Sequence, residues 1–249
     1  MYFIEKYSPT LESWQREIVR IVRKISQYFY PQRQTKVMNE GWASFTHYFI
    51  MNRLWEKDLL SDGQYLEFIH SHSSVLRQLP HTHKHFSGFN PYALGFDMFT
   101  DIRRICEHPT DEDRQYFPHL IGQPWLDTCL DAVRNYRDES FISQFLSPHI
   151  IRKWGLFEIS NEEHNDYVEV TGIQNERGYN RIRQSLSAQY STTSQQANIQ
   201  VVNASLKSDR RLTLRYESVN GSVLDEDSKK QVLTHIQHLW GYAVTIEEN

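Results

Sequence analysis

Apolar positions in the first part of the chain recur at helical spacing. After Ser8-Pro9, a cap followed by a proline suited to the first helical position, apolar residues follow every three or four positions until Pro31, where we expect the helix to end. A second such pattern covers residues 35–57, and a third begins with the capping box of Ser61 and Gln64. Further helical patterns cover three more stretches: 92–107, 124–136 and 139–146.

The pattern changes near Gly155. Residues 157–159 and 167–170 alternate with period two on either side of a polar turn, which predicts a β-hairpin. From Tyr167 onward the predicted order is strand, helix, strand, strand, helix, strand, the order of a ferredoxin-like sandwich. We therefore predict an α+β protein with a mainly α-helical domain at 1–154 and a small ferredoxin-like βαββαβ domain at 155–249.

The composition is that of a globular protein. Apolar residues make up 39% of the chain and aromatic residues 13%, enough for a substantial core. No apolar run approaches the length that spans a bilayer, and the first residues do not resemble a signal peptide. Two cysteines, Cys106 and Cys129, fit reduced thiols. We expect a cytoplasmic protein with no membrane span.

The charge balance does not favour nucleic-acid binding. The chain has 27 basic against 31 acidic residues, a net charge of −4. A basic turn at Arg210 and Arg211, followed by Arg215 and Tyr216, offers a sheet surface for RNA but lacks the aromatic signature of RNA-recognition motifs. We therefore do not expect a nucleic-acid partner.

The segment with the most chemical information contains Glu40 and His47. These residues are seven apart, so both lie close to one face of the predicted second helix, with α-carbons about 10.5 Å apart along the axis. That distance is long for chelating one ion. Gly41, in mid-helix, indicates a close backbone approach. Two hypotheses remain open: a glutamate hydrogen-bonded within a helix bundle, or a metal or acid–base site in which Glu40 is a ligand and His47 orients a ligand or faces a substrate.

Histidines cluster between positions 70 and 85. His81, His83 and His85 alternate, so an extended backbone would place all three on one side, where they could bind a metal ion. The alternative is a solvated loop that binds metal adventitiously, with His70 and His72 on a helix surface.

Two acidic clusters have similar alternatives. Asp97 and Asp101 lie four apart beside Arg103 and Arg104, where they could act in acid–base chemistry, bind a cation or form a solvated helix face. The acidic residues 111–113 are the expected first turn of a short helix.

Several segments resemble the stage V sporulation protein R (SpoVR) family. The first is the run from Asn39 to His47, Asn-Glu-Gly-Trp-Ala-Ser-Phe-Thr-His. Four others fit the family in the same order: Tyr28-Phe-Tyr-Pro-Gln, Gly88-Phe-Asn-Pro-Tyr-Ala-Leu-Gly95, Asp138-Glu-Ser-Phe-Ile-Ser-Gln-Phe-Leu-Ser-Pro148 and Leu239-Trp-Gly241. The resemblance covers essentially the whole chain and is to the branch found in non-sporulating bacteria.

The resemblance implies a site divided between two halves of a protein. Family members are about twice as long, and this chain corresponds to their second half; the first half carries a His-x-x-x-His pattern. Glu-Gly-Trp-Ala is similar to a segment of some zinc peptidases in which the glutamate is the third zinc ligand. The resemblance thus implies zinc in the whole protein, with Glu40 as one ligand, and an isolated chain that is inactive.

Two functions follow from the resemblance. The first is a regulatory or interaction component of a bacterial stress, stationary-phase or sporulation-related system, with a PrkA-type serine protein kinase and a von Willebrand-A-like protein as implied partners. The second is half of a zinc-dependent peptidase or amidase site. We favour the first for this chain.

Overall fold

The computed structural model describes residues 1–80, 83–156, 158–160, 169–171, 176–191, 197–218 and 224–248. Helices dominate the first part. The helices before the first strand are α1 (Tyr2–Tyr7), α2 (Ser13–Arg33), α3 (Lys36–Glu56), α4 (Asp62–Val75), α5 (Pro91–Glu107), α6 (Asp111–Tyr116), α7 (Trp125–Asn135), α8 (Asp138–Phe145) and α9 (Pro148–Trp154).

Strands and two further helices follow. In chain order they are β1 (Glu158–Ser160), β2 (Glu169–Thr171), α10 (Glu176–Gln189), β3 (Asn198–Ala204), β4 (Leu212–Glu217), α11 (Glu226–Trp240) and β5 (Val244–Glu248). Strands β1 and β2 form an antiparallel pair. A separate sheet has the order β3-β4-β5, in which β4 pairs antiparallel with β3 and parallel with β5. The predicted α+β class is confirmed.

The predicted ferredoxin-like arrangement is not what the described strands form. In that arrangement β2 would join the same sheet as the last three strands, but it pairs with β1 instead. The helix α10 packs against the helical core through Tyr179 and Leu186, with the Tyr179 hydroxyl donating to the Leu146 carbonyl at 2.6 Å. The apolar side of α10 therefore buries itself among helices, which leaves β3-β4-β5 with α11 as the only helix between its strands.

The contacts between residues divide the chain into two compact units. One unit is Gln34–Tyr190, and the other combines Met1–Arg33 with Ser191–Asn249. This grouping differs from the division expected after residue 154, which stays a prediction about separate domains. Pro31 also does not end its helix: it lies in the last turn of α2, which continues to Arg33.

The unit that joins both ends of the chain is centred on Trp240. This side chain is fully buried with Leu212 and Leu214, and its Nε1 donates to the Arg210 carbonyl at 2.6 Å. Gly241 follows in the left-handed conformation (φ 86°), and a Cβ there would lie 2.2 Å from the Thr10 methyl carbon. The Trp-Gly pair near the chain end therefore has a packing role.

The helical unit is built around the crossing of α3 and α5. Its core contains buried aliphatic and aromatic side chains from most of the helices between Gln34 and Tyr190. In α3 the segment from Asn39 to His47 contributes Trp42 and Phe45, whose rings lie 5.3 and 6.1 Å from the ring of Phe99. In the part of the chain that the structure describes, no helix is long and apolar enough to cross a membrane.

Candidate functional site

The N-terminus of α3 is held by a residue about a hundred positions away. Asp138, which is fully buried, accepts hydrogen bonds from the backbone amides of Val37 and Met38, each at 2.9 Å. Burial raises the pKa of Asp138 to about 6, although the backbone hydrogen bonds act in the opposite direction. This carboxyl group satisfies amides that have no partner within the helix and fixes where α3 begins.

Gly41 allows α3 to touch α5 backbone to backbone. A Cβ on Gly41 would lie 2.3 Å from the Gly95 α-carbon, and a Cβ on Gly95 would lie 2.2 Å from the Val37 carbonyl oxygen. No side chain fits there. The close backbone approach predicted from the mid-helix glycine is confirmed, and it positions the neighbouring Glu40 beside the first turn of α5.

Glu40 is half-buried next to this crossing. A side-chain hydrogen bond between Tyr92 and the Glu40 carboxylate raises the pKa of Tyr92. Tyr92 is in the first turn of α5, three residues before Gly95, so the same contact that brings the two backbones together also brings this hydroxyl to Glu40. The carboxylate is therefore oriented by a neighbouring helix and keeps part of its surface exposed.

Glu40 and His47 do not form one site. His47 is exposed, two helical turns along α3, and its ring contacts Phe68 (5.1 Å between centroids) rather than Glu40. The axial rise of an α-helix separates their α-carbons by about 10.5 Å. His47 has a different neighbour of chemical interest: the ring of His72 on α4, with centroids 6.4 Å apart.

His72 is a polar residue whose burial the sequence analysis missed. It was expected on a helix surface, but it is only 9% exposed, and its Nε2 atom has no hydrogen-bond partner. Burial and, to a smaller extent, the charge of His47 lower the pKa of His72. The signal was present: Tyr65, Phe68 and His72 are spaced by three and four, which places them on one face of α4.

Aromatic rings surround His72. Tyr48 stacks on it at 5.1 Å between centroids, and the rings of Phe68 and Phe96 lie at 5.4 and 5.2 Å. These rings come from α3, α4 and α5. The imidazole is thus enclosed on several sides by apolar surface, with His47 as its polar neighbour.

The histidines of the loop lie outside this arrangement. His83 and His85 are exposed, with ring centroids 5.6 Å apart, and the His85 amide donates to His83 Nδ1 at 3.2 Å. His81 lies outside the described residues. Metal binding by these three residues stays a prediction. Within the described ranges, no group of three histidine, cysteine, aspartate or glutamate side chains could hold a metal ion.

The carboxylates on α5 have structural partners. Buried Asp101 accepts from Arg104 Nε at 2.7 Å and from the Ser147 hydroxyl at 2.5 Å. The Arg104 guanidinium also binds both oxygens of buried Asp113, at 2.6 and 2.9 Å. Asp97 binds Lys153 and the Trp154 indole. These contacts favour an ion-pair network between helices over acid–base chemistry.

Arg104 and Thr110 determine the ionisation of Asp113. Burial alone would raise its pKa, but the hydrogen bonds from these two residues outweigh burial and lower the pKa of Asp113 to about 2. Thr110 and Asp113 also form the capping box of α6, so the acidic first turn expected from the sequence is confirmed as a helix start.

Comparison with known proteins gives the family. Residues 1–195 match the family described as SpoVR like protein, and residues 197–249 match the SpoVR-like C-terminal domain. The uncharacterized protein YcgB of Escherichia coli (strain K12) is 51% identical over 248 residues, which is 100% of this chain and 48% of YcgB. No solved structure matches the chain. The chain belongs to the SpoVR family, and it spans about half the length of the curated relative it matches.

Proposed function

We propose that this chain is an interaction component of a SpoVR-family protein, and that it binds the remaining half of the family protein through α2. The observation that carries this proposal is an apolar helix face exposed along the whole of α2. Its members are Trp14, Ile18, Ile21, Val22, Ile25, Tyr28 and Phe29, each between 46% and 66% exposed. We call these seven residues the α2 face.

The α2 face is separate from the side of the helix that this chain uses. Val19 is buried, and Arg23 on the same side binds the Glu5 carboxylate of α1 at 2.8 Å, while Arg16 donates to the Glu5 carbonyl at 2.8 Å. An apolar stripe along an amphipathic helix normally faces a protein core. Here the mixed side faces α1 and the stripe faces outward, and a contiguous exposed apolar patch of this kind is typical of an interaction surface.

The length of the relative supports the choice of occupant. The chain corresponds to 48% of YcgB, so the family protein contains as much polypeptide again. An obligate interface resembles a domain core cut in two, with large aliphatic and aromatic side chains on each side. The composition of the α2 face fits such an interface, and we assign the other side to the remaining half.

The test is to reconstitute the two halves. The half of YcgB that this chain does not match is expressed separately, mixed with the chain, and binding is measured by calorimetry. The double change Ile18→Glu and Ile25→Glu introduces two charges into the α2 face and is expected to weaken binding at least about a hundredfold, since unpaired interface charges cost several kcal/mol.

Lys24→Glu is the matched control, because it introduces the same side chain at an exposed α2 position outside the α2 face. It should leave the affinity within about threefold. The proposal is wrong if the double variant binds as well as the parent, if the halves do not bind, or if the α2 face instead makes a dimer of this chain that excludes the other half.

The partners implied by the family resemblance extend this proposal. A PrkA-type serine protein kinase and a von Willebrand-A-like protein would bind the assembled protein in a stress or stationary-phase system, with residues 167–246 as the docking surface. Pull-down of the kinase with the whole protein tests it. Loss of the kinase on deletion of 167–246 is expected, and an intact complex would rule out this docking surface.

A second candidate function is half of a zinc-dependent hydrolase site. The observation that favours it is the orientation of Glu40 by Tyr92, because metal-binding carboxylates are themselves usually held by hydrogen bonds. Glu40 alone does not make a site, so the other ligands would come from the remaining half. Stoichiometric zinc in the whole protein, lost on Glu40→Gln without loss of folding, is the expected result; whole protein free of metal after purification with zinc would contradict it.

A further inference from the structure

The side chain of His72 makes an unusual demand on the fold. Its Nε2 is buried and has no partner, although three aromatic rings pack around the imidazole. Leaving a buried polar atom unpaired is costly, and phenylalanine would fill the same space without that cost. A buried nitrogen of this kind therefore points to a ligand.

His47 supplies a second imidazole beside it. The two ring centroids are 6.4 Å apart, and the rings come from neighbouring helices, α3 and α4. His47 is exposed, so it can change its side-chain rotamer while His72 stays fixed by its packing. Two imidazole nitrogens bound to one tetrahedral zinc ion lie about 3.3 Å apart, a separation that rotation of His47 can reach.

We propose that His47 and His72 are two ligands of a binding site for a divalent transition-metal ion of the zinc, nickel or copper class. Imidazole suits these metals, whereas magnesium and calcium take oxygen ligands. Water would complete the coordination in this chain. His72 binds through the buried Nε2, and the enclosing rings of Tyr48, Phe68 and Phe96 hold its imidazole in place.

This site is distinct from the one considered for Glu40. The two histidines are on the α4 side of α3, whereas Glu40 contacts Tyr92 of α5 two turns earlier. An ion at His47 could not also contact Glu40 across about 10.5 Å of helix. The lowered pKa of His72 is compatible with binding, because a metal binds neutral imidazole.

Calorimetric titration of the chain with zinc chloride, repeated with nickel chloride, tests the proposal. The parent for this titration carries alanine at His81, His83 and His85, so that loop histidines do not contribute. We expect one ion per chain. His47→Ala and His72→Phe should each weaken binding at least about tenfold, while His70→Ala, an exposed histidine on α4, and Glu40→Gln should leave it unchanged.

His72→Phe is chosen because a phenyl ring fits among the three rings, and circular dichroism checks that the variant folds. His47→Ala changes an exposed side chain and keeps the test valid should the His72 variant unfold. The proposal is overturned if neither metal binds the parent, if His47→Ala binds like the parent, or if His70→Ala or Glu40→Gln abolishes binding.

Discussion

Gly41 and Gly95 touch through their backbones: a Cβ on Gly41 would lie 2.3 Å from the Gly95 α-carbon. Alanine has the higher helix propensity, so Gly41→Ala would stabilise an exposed helix. Here we expect the opposite sign, because the methyl group must push the two helices apart. The expected loss is about 2–3 kcal/mol in the free energy of unfolding, measured by urea titration.

Gly63 provides the control for this prediction. It lies in the first turn of α4, and a Cβ there would have nothing within 4 Å. Gly63→Ala should therefore stabilise the protein by up to about 1 kcal/mol. If Gly41→Ala stabilises the chain as Gly63→Ala does, the backbone contact between α3 and α5 is not present in solution.

Asp138 connects the start of α8 to the start of α3. Asp138→Ala would leave the buried amides of Val37 and Met38 without partners, so we expect a loss of about 2–4 kcal/mol in stability. Glu139→Ala, at an exposed position in the same helix turn, should change stability by less than about 0.5 kcal/mol. Equal effects of the two changes in a urea titration would show that Asp138 does not cap α3.

Asp113 should make the protein sensitive to acid. Its pKa is about 2 in the folded chain against a model value of 3.8, so its contribution is present above pH 3.8 and is lost as the pH falls towards 2. The shift corresponds to about 2 kcal/mol. Asp113→Asn should lower stability at pH 7 by roughly this amount and flatten the fall in stability between pH 4 and 2.

The control for Asp113 is Asp111, which is exposed in the same helix and pairs only with exposed Arg114 at 3.7 Å. Asp111→Asn should leave the pH profile of thermal unfolding close to that of the parent. A parent profile between pH 4 and 2 that Asp113→Asn does not alter would contradict the role given to the Arg104 pair.

Local signals predicted the helices well. The capping box of Ser61 and Gln64 marks the start of α4, and α3 lies within the predicted 35–57. Pro31 was misleading, because a proline in the last turn of α2 can be tolerated when the helix ends two residues later. The ferredoxin-like sheet was wrong for a tertiary reason: the apolar face of α10 fits the helical core equally well by pattern, and pattern does not specify its partner.

The candidate site was predictable only in part. Gly41 signalled a close approach, and Glu40 next to it could be located on α3 from spacing alone. Which helix approaches could not be predicted, since Gly95 and Tyr92 are more than fifty residues away in sequence. His72 was missed because a histidine within a polar stretch suggests a surface, and only the packing of Phe96 from α5 encloses it.

The exposure of the α2 face was also beyond local signals. The spacing of Trp14, Ile18 and Ile25 predicts an amphipathic helix whose apolar side is buried. The chain itself covers only the opposite side, through Val19 and the contacts with α1. Sequence periodicity specifies which face is apolar, whereas what covers that face depends on the rest of the family protein.

Hydroxyl-radical footprinting of Trp14 and Tyr28, in this chain alone and in complex with the remaining half of the family protein, tests the central claim most directly. Both side chains are exposed in the chain, at 59% and 66%, whereas buried Trp240 reports that the fold is intact in both samples. The account predicts that oxidation of Trp14 and Tyr28 slows severalfold in the complex while Trp240 stays protected. Unchanged oxidation of both residues in a complex that has formed would contradict it.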